Sequence, residues 1–465
     1  MQRRRRVGSS QAELFPRSKR PTISLDEKHR LVVMTDALDW TALEELVETI
    51  RRSKLKSAAG RPPQLRALIG AVLFRATRRT PYRDTEDQIR HYGPARYLCG
   101  LTETDWTPDG NTIQDFEQLL GEDGVAALNE HVVDRAVEEK FADPSVMVAD
   151  TTAQEAAIPH PNEMGLMTAF ATAVCAASKH VGGALKGFVQ KAAGTFAAMK
   201  KKLREYRLFA KDKTREVKNQ MVSAVTKLVE KIQRGVDVAI KQVDAQKQRL
   251  TRYGKVAWSK IQHVQQTMKK LIPQIRHWLK TGHVAAGKII NLWLPELYSI
   301  VRGKVGKPVE FGLTWGIRRL RGGYVLATMA RDKRELQDIR FAVSAVDEHI
   351  AQFGKPPRSY AYDRGGYSGD NIAELRRRGV RNIGLAPRGR TAWQVSDKMR
   401  DELFRERARV EGSIGTIKSN RYGFNRPGAH SAELMGVGGQ RAVLGLNLTK
   451  FARQIAARDG IAVMG

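Results

Sequence analysis

The sequence predicts an α/β domain that is split by a long α-helical insertion and preceded by an all-α domain. Three observations carry this prediction. Short β-branched apolar runs predict strands, apolar residues repeated every three or four positions predict helices, and a strongly basic helical block separates the first strand from the others. With 465 residues, the chain is too long for one ordinary core, so two or three domains are expected.

The composition points to a polyanionic partner. The formal net charge is +31, the pI is near 10.3 and 42% of residues are hydrophobic. Such a charge attracts nucleic acid first and an anionic membrane surface second, although the basic helices carry few aromatic residues on their apolar sides. Two cysteines, Cys99 and Cys175, exclude a disulfide framework and a cysteine-rich zinc site, which fits a reducing cytosol. The opening MQRRRRVGSS lacks the apolar run of a signal peptide.

The N-terminal part is expected to be helical and to contact DNA. Residues 1–25 form a basic arm that is either a flexible binding segment or a disordered tail without a task. Residues 26–142 repeat apolar side chains at helical spacing and break at T-P-D-G-N-T (107–112), where Asp109 or Asn111 can cap the next helix. A helix, a turn and a capped helix suit a helix-turn-helix DNA-binding domain, and equally a plain helical bundle.

The first strand is followed by the insertion. V-M-V-A-D-T-T (146–152) is β-branched and apolar and contains Asp150, so we expect a buried strand. From residue 165 to 300, Lys and Arg far outnumber Asp and Glu, and apolar stripes at 217–243 and 258–275 predict two long antiparallel helices. The charge surplus indicates contact with phosphates, although an ordinary solvated helix face also carries runs of charge.

The remaining elements complete an α/β domain in residues 143–164 and 301–430. They alternate between strands and helices at residues 306–316, 323–329, 333–353, 357–363, 368–378, 381–385 and around Glu411. With the first strand, the order is three meander strands followed by alternating helices and strands, which is the order of a ribonuclease H-like domain. Residues 431–465 add an amphipathic helix at about 435–457.

Three carboxylates of this domain are candidates for metal chemistry. Asp150 and Asp363 lie where two strands end, and Glu411 lies on a helix. Converging carboxylates suit Mg²⁺ or Mn²⁺, and a pair of such ions can activate a nucleophile and stabilise the leaving oxygen of a phosphodiester. Each acid also has an ordinary interpretation, because aspartates cap turns and Arg407 lies four residues before Glu411, at ion-pair spacing.

The helix that carries Glu411 has a distinctive stripe. Phe404, Arg407, Glu411 and Lys418 follow one another at steps of three, four and seven, which place all four side chains on one helix face. This stripe resembles the Tyr-Arg-Glu-Lys signature of bacterial insertion-sequence DDE transposases. A-D-T-T at Asp150 and D-R-G-G-Y at Asp363 resemble the two acidic motifs of that family.

Further segments extend the resemblance over most of the chain outside the insertion. Residues 89–116 are similar to the helical N-terminal domain of the same transposases, and residues 155–167 to the segment after the first acid. The sequence departs from the family at the signature tyrosine, which is Phe404, at the extra glycine of the second motif (Gly365, Gly366) and at the position of the insertion.

The resemblance implies a DNA transposase that cleaves transposon ends with Mg²⁺ or Mn²⁺, expected as two ions, and transfers the 3′-OH into target DNA. Asp150, Asp363 and Glu411 would bind the metal, and the DNA contacts would come from Arg407, Lys418, Phe404, Arg364 and Tyr367. The partners would be double-stranded DNA, both terminal inverted repeats and target, and a second copy of the chain in a dimer or larger assembly. The location would be the bacterial cytoplasm, at the nucleoid.

Two other functions stay open. The chain can be a catalytically lapsed relative that binds DNA, or a ribonuclease H-like nuclease without strand transfer. The complete set of acids argues against the first, and the long basic additions argue against the second.

Overall fold

The computed structural model describes residues 25–55, 63–102, 106–244, 250–304, 307–330, 335–387, 392–393 and 395–462. The predicted basic arm lies outside them, except for Leu25. The described residues are mostly helical and include a mixed sheet of six strands. None of the described helices combines the length and apolar character that crossing a bilayer requires.

The N-terminal helices precede the first strand. They are α1 (Arg30–Ala37), α2 (Trp40–Lys54), α3 (Leu65–Arg78), α4 (Tyr82–His91), α5 (Gly93–Leu98) and α6 (Gly110–Glu138). Of the two predicted caps for α6, Asp109 is the one used, because its carboxylate accepts a hydrogen bond from the Thr112 N–H at 2.8 Å. The helix kinks at Gly121, where φ is 65°, and Lys54 Nζ donates to the Leu120 carbonyl at 2.6 Å beside the kink.

The insertion packs around an apolar core of its own. Its helices are α7 (Glu163–Val181), α8 (Gly183–Lys191), α9 (Ala193–Phe209), α10 (Arg215–Asp244) and α11 (Arg252–Thr281). The last two contain the predicted stripes, and their buried residues, such as Val225, Ile232, Trp258 and Ile261, face one another. This core is separate from the two cores on the sheet, so the insertion is a helical unit of its own. The excess of Lys and Arg in residues 165–300 therefore belongs to that unit.

The sheet is antiparallel on one side of its central strand and parallel on the other. Its strands are β1 (Asp143–Glu155), β2 (Tyr298–Lys304), β3 (Lys307–Arg321), β4 (Val325–Met329), β5 (Ser359–Tyr362) and β6 (Asn382–Leu385). β1 pairs antiparallel with β3 and parallel with β5, β6 extends the parallel side, and β2 and β4 both pair antiparallel with β3. β2, an edge strand that exposes Val301, is not predicted by the sequence pattern.

Four helices follow the meander, namely α12 (Asp338–Phe353), α13 (Gly369–Arg377), α14 (Asp397–Lys418) and α15 (Ala432–Arg458). The predicted amphipathic character of the last helix is wrong. α15 is buried along most of its length and on most of its faces, because it packs against α1, α3, α6 and β4 at once. One continuous core therefore joins the N-terminal helices, α15 and the α12 face of the sheet, and a second core lies under α14.

Candidate active site

Two aspartates stand at the same level of the sheet. The predicted strand end is confirmed for Asp363, which directly follows β5, and is wrong for Asp150, because β1 continues to Glu155. Val148 of β1 pairs with Ala361 of β5, and Asp150 and Asp363 each follow two residues later. Residues two apart in a strand share a face, so Asp150 points to the same side as Val148, which packs in the core under α14. Parallel strands lie about 4.8 Å apart, so the register brings the two predicted acids together.

The electrostatics of Asp150 reflect this proximity. The pKa of Asp150 is raised to about 6: burial and the negative charges of Asp363 and Asp338 raise it, and the Thr151 N–H and Arg407 partly offset them. The hydrogen bond from the Thr151 N–H to Asp150 Oδ1 measures 2.8 Å. The half-buried carboxylates therefore repel each other, and the positive charge of Arg407 partly offsets this repulsion.

Asp338 is a third carboxylate of this site, and no motif in the sequence indicates it. It is the first residue of α12. Its Oδ1 accepts hydrogen bonds from the Thr151 hydroxyl at 2.9 Å and from the Tyr362 hydroxyl at 3.2 Å. It therefore touches the residue after Asp150 and the residue before Asp363.

The glycine pair of the second acidic motif has a steric cause. A Cβ atom at Gly365 would lie 2.8 Å from Asp338 Oδ2 and 2.9 Å from Asp363 Oδ1, and one at Gly366 would lie 2.6 Å from the Ala342 Cβ. A side chain at either position would collide with an acid or with α12. The departure from the family motif thus lets the turn after β5 pass close to both carboxylates.

The helix α14 covers the pair of aspartates from one side. A cleft of about 140 Å³ is lined by Asp363, Arg364, Trp393, Phe404 and Arg407, among others. Phe404 is 45% exposed, and its ring lies 5.2 Å from that of Trp393, so two aromatic faces border the cleft. Two members of the predicted stripe therefore reach the acidic motif.

Glu411 lies one turn beyond this cleft. Its side chain is 64% exposed, and its Oε1 is 3.8 Å from Arg407 Nη2. This is the ordinary ion pair that the spacing allowed, at a long distance. Within the described ranges, no group of three or more His, Cys, Asp or Glu side chains is arranged to hold a metal ion.

The other predicted DNA contacts lie in different settings. Arg364 is exposed and lines the cleft. Tyr367 is partly buried against the core that joins the N-terminal helices, α15 and the α12 face of the sheet, so only part of its ring is accessible. Lys418 is the last residue of α14, eleven residues after Arg407, which at 1.5 Å per residue is about 16 Å away.

The chemistry of the donors suits a hard divalent cation at the aspartates. Asp150 and Asp363 offer carboxylate oxygens whose mutual repulsion a cation would relieve. Glu411 has to move to join them, because no group of three acids within the described ranges is arranged to hold a metal ion, and its exposure permits that movement.

A comparison with known families bears on the residues upstream of this site. A family model described as Transposase domain (DUF772) matches residues 21–119. The match supports a transposase family. The chain matches none of the curated proteins compared with it. None of the solved structures matches it either.

The segment matched as a transposase domain is tied to the α/β part by a buried ionic network. Glu117 of α6 is fully buried and accepts hydrogen bonds from Tyr82 Oη at 2.6 Å, from Arg75, and from Arg441 of α15 at 3.0 Å. Burial alone would raise the pKa of Glu117, but Arg441 and Arg75 hold it below its ordinary value. The matched segment and α15 are thus joined by a buried carboxylate that Arg75 and Arg441 share.

Proposed function

We propose that the chain is a DNA transposase whose α/β part is a ribonuclease H-like catalytic domain. The strand order β4-β3-β1-β5-β6 supports the fold, since β3 runs antiparallel to β1 while β5 and β6 run parallel to it. The helices that follow β4, β5 and β6 agree with the same arrangement. The basic insertion then separates β1 from the rest of the domain.

The observation that carries the proposal is the register of the acids. Asp150 in β1 and Asp363 directly after β5 lie at one level, beside Arg407, in a chain whose residues 21–119 match a transposase domain. In this proposal Asp150, Asp363 and Glu411 hold Mg²⁺ or Mn²⁺, expected as two ions. When bound, such ions lower the pKa of a nucleophilic water or hydroxyl and stabilise the leaving oxygen of a phosphodiester.

The chain's own residues position the DNA. Arg407 acts on the charge of Asp150 and can hold a phosphate of the strand to be cut, and the exposed face of Phe404 packs against a sugar or base. Arg364 and Lys418 would contact further phosphates. The substrates are the terminal inverted repeats and the target DNA, and the assembly is a dimer or larger.

The ion pair between Arg407 and Glu411 suggests how substrate binding completes the site. A phosphate that binds Arg407 competes with Glu411 for the same guanidinium, across a pair that is only 3.8 Å apart and largely solvated. Glu411 is then released toward Asp150 and Asp363. The acid set is thus assembled by the DNA that it acts upon.

The catalytically lapsed DNA-binding relative is the second candidate. One observation favours this candidate: Glu411 forms an ion pair with Arg407, the ordinary role that its spacing allowed. A nuclease without strand transfer differs from the transposase only in its products.

The test uses DNA that carries both ends of the element, with the purified full chain and Mg²⁺. Asp150→Asn and Glu411→Gln should bind this DNA as the wild type does but lose cleavage by at least about 100-fold, the scale of losing groups that act in the transition state. Asp401→Asn, on the same helix α14, is the matched control and should cleave normally. Full activity of Glu411→Gln would remove Glu411 from the mechanism.

The reaction products distinguish the transposase from the nuclease and from the lapsed DNA-binding relative. Cleaved ends joined to a second DNA indicate the transposase. Cleavage without joined products indicates the nuclease, and binding without nicking in either Mg²⁺ or Mn²⁺ indicates the lapsed relative.

A further inference from the structure

A strongly cationic pocket of about 440 Å³ lies at the junction between the N-terminal helices and the turn after α14. Its lining residues are Arg30, Thr77, Arg78, Arg79, Asn420 and Arg421. They come from the start of α1, the end of α3 and the chain just beyond Lys418. Among the described residues, no carboxylate lines this pocket.

The walls of the pocket are fixed to each other through Arg79. This residue ends α3 in the left-handed conformation, with φ 53° and ψ 38°. Its Nη1 donates to the Asn420 carbonyl at 2.7 Å. A Cβ atom at Gly423 would lie 2.2 Å from Arg79 Nε, so the glycine, with φ 71°, leaves room for the guanidinium. The N-terminal helices and the segment after α14 therefore meet in a defined geometry.

Arg30 is the buried cation of the pocket. It is only 8% exposed, and its Nε has no hydrogen-bond partner in the part of the chain that the structure describes. Burial lowers the pKa of Arg30, and the positive charges of Arg78, Arg421 and Arg453 lower it further. A buried guanidinium without a counter-charge is costly, and its neighbours here have the same sign.

We propose that this pocket binds a phosphate of the DNA backbone. Guanidinium groups bind phosphate oxygens in pairs of parallel hydrogen bonds, and several guanidinium groups from three segments converge here around one cavity. A phosphate supplies the missing counter-charge and the missing acceptor for Arg30 Nε. Free inorganic phosphate offers the same chemistry, and the experiment below separates it from DNA.

The position of the pocket agrees with a strand that runs along α14. The helix leads from Arg407, beside the acids, to Lys418, and Arg421 follows three residues later. The helical part of this path spans about 16 Å, or about five nucleotides of one strand. The identity of the DNA as a transposon end rests on the proposed function, but the phosphate contact does not.

The test is a titration of a fluorescent duplex of about 30 base pairs and arbitrary sequence with the full chain in EDTA, where cleavage is suppressed. Arg78→Gln and Arg421→Gln, both at exposed positions, should each weaken binding about fivefold at roughly 0.15 M salt and reduce the slope of log K against log salt by about 0.9. The matched control is Arg358→Gln, an exposed arginine just before β5, at the end of that strand opposite to Asp363. Pocket variants that bind like the wild type, or a control that weakens binding equally, would overturn the proposal.

Arg30→Met separates binding from packing. Because the charge of Arg30 is uncompensated, its removal should raise the Tm of the free protein while it weakens DNA binding. A lower Tm without any loss of DNA affinity would mean that Arg30 is structural, and would count against the pocket.

The last experiment measures binding of inorganic phosphate. At equal ionic strength, phosphate should raise the Tm of the wild type more than chloride does and should compete with the duplex, and neither effect should occur with the doubly substituted Arg78→Gln, Arg421→Gln chain. Stabilisation by phosphate together with unchanged duplex binding by the pocket variants would assign the pocket to a free anion and overturn the DNA contact. If the wild type never cleaves DNA and the pocket variants still lose affinity for DNA, the transposase mechanism is refuted. The proposal that the pocket binds phosphate then still holds.

Discussion

Replacing Asp150 by asparagine should abolish cleavage and yet stabilise the free protein. Asparagine keeps an oxygen that can accept the hydrogen bond from the Thr151 N–H, and it cannot ionise next to Asp363 and Asp338. The substitution therefore removes a charge that the folded chain disfavours in the absence of metal. A residue that only supports the fold would show the opposite sign.

The magnitude follows from the pKa. Burial and neighbouring acids raise the pKa of Asp150 from its ordinary 3.8 to about 6, and one pKa unit corresponds to about 1.36 kcal/mol, so ionisation costs the folded state at most about 3 kcal/mol at neutral pH. Because Asp150 is half-buried and partly screened by water, we expect Asp150→Asn to gain about 1–2 kcal/mol.

The sign of the stability difference between Asp150→Asn and the wild type follows from how Asp150 titrates in the folded and unfolded chains. Below about pH 4 the carboxyl is protonated in both the folded and the unfolded chain, and the substitution changes nothing through this charge. As pH rises from about 4 to 6, the unfolded chain releases its proton while the folded chain retains it, so wild-type stability falls relative to the variant. Above about pH 7 the advantage of the variant is constant.

Urea unfolding in EDTA at pH 4, 5 and 7.5 measures this difference, with Asp87→Asn on the exposed face of α4 as the control that should shift by less than about 0.5 kcal/mol. Added Mg²⁺ should then stabilise the wild type and not the variant, because a ligand bound only by the folded state adds to its stability. An Asp150→Asn chain that is less stable than the wild type at pH 7.5 would refute the electrostatic account of the site.

Substitutions at three further positions test the other features of the structure. Asp338→Asn should slow cleavage about tenfold at unchanged DNA affinity, because the Thr151 and Tyr362 hydroxyls lose their carboxylate acceptor, and Asp338→Glu should restore part of the rate in the same assay. Phe404→Tyr should retain cleavage within about twofold, since the exposed ring borders an open cleft, whereas a loss above tenfold would mean that the added hydroxyl disturbs the site. Glu117→Gln should lower the free energy of unfolding by about 3–5 kcal/mol in urea, because two buried arginines lose their counter-charge, and a change below about 1 kcal/mol would contradict the buried network.

Much of the α/β part could be predicted from local pattern. The strands that contain or precede Asp150 and Asp363 are short apolar runs, and their pairing in register follows from an element order that the sequence already displays. The stripe on α14 could also be predicted, because Phe404 and Arg407 are neighbours on one helix whatever the helix packs against. Such features depend on residues close together in the chain.

The missed features depend on residues far apart in the chain. Asp338 reaches Thr151 only because the start of α12 lies beside β1, and the spacing within α12 does not contain that information. The cationic pocket collects arginines from three segments, and each alone is indistinguishable from a solvated arginine. The burial of α15 has the same origin, since several neighbours at once cover its small and polar positions.

The route by which the chain enters and leaves the insertion makes the insertion separable from the sheet. Glu155 at the end of β1 and Tyr298 at the start of β2 both pair with Gly312, one on each side of β3. Two strand spacings separate these points, which is about 10 Å, so a loop of a few residues around the end of β3 could close the sheet without the insertion. The helices α7 to α11 keep their own core, whereas Ile290, Leu294 and Leu297, between α11 and β2, are buried in the core under α14. An excision that removes these helices and keeps the three residues therefore spares the interior of the α/β part. A shortened chain of this kind would show how much of the affinity for DNA comes from the basic insertion and how much from α14 and the N-terminal helices.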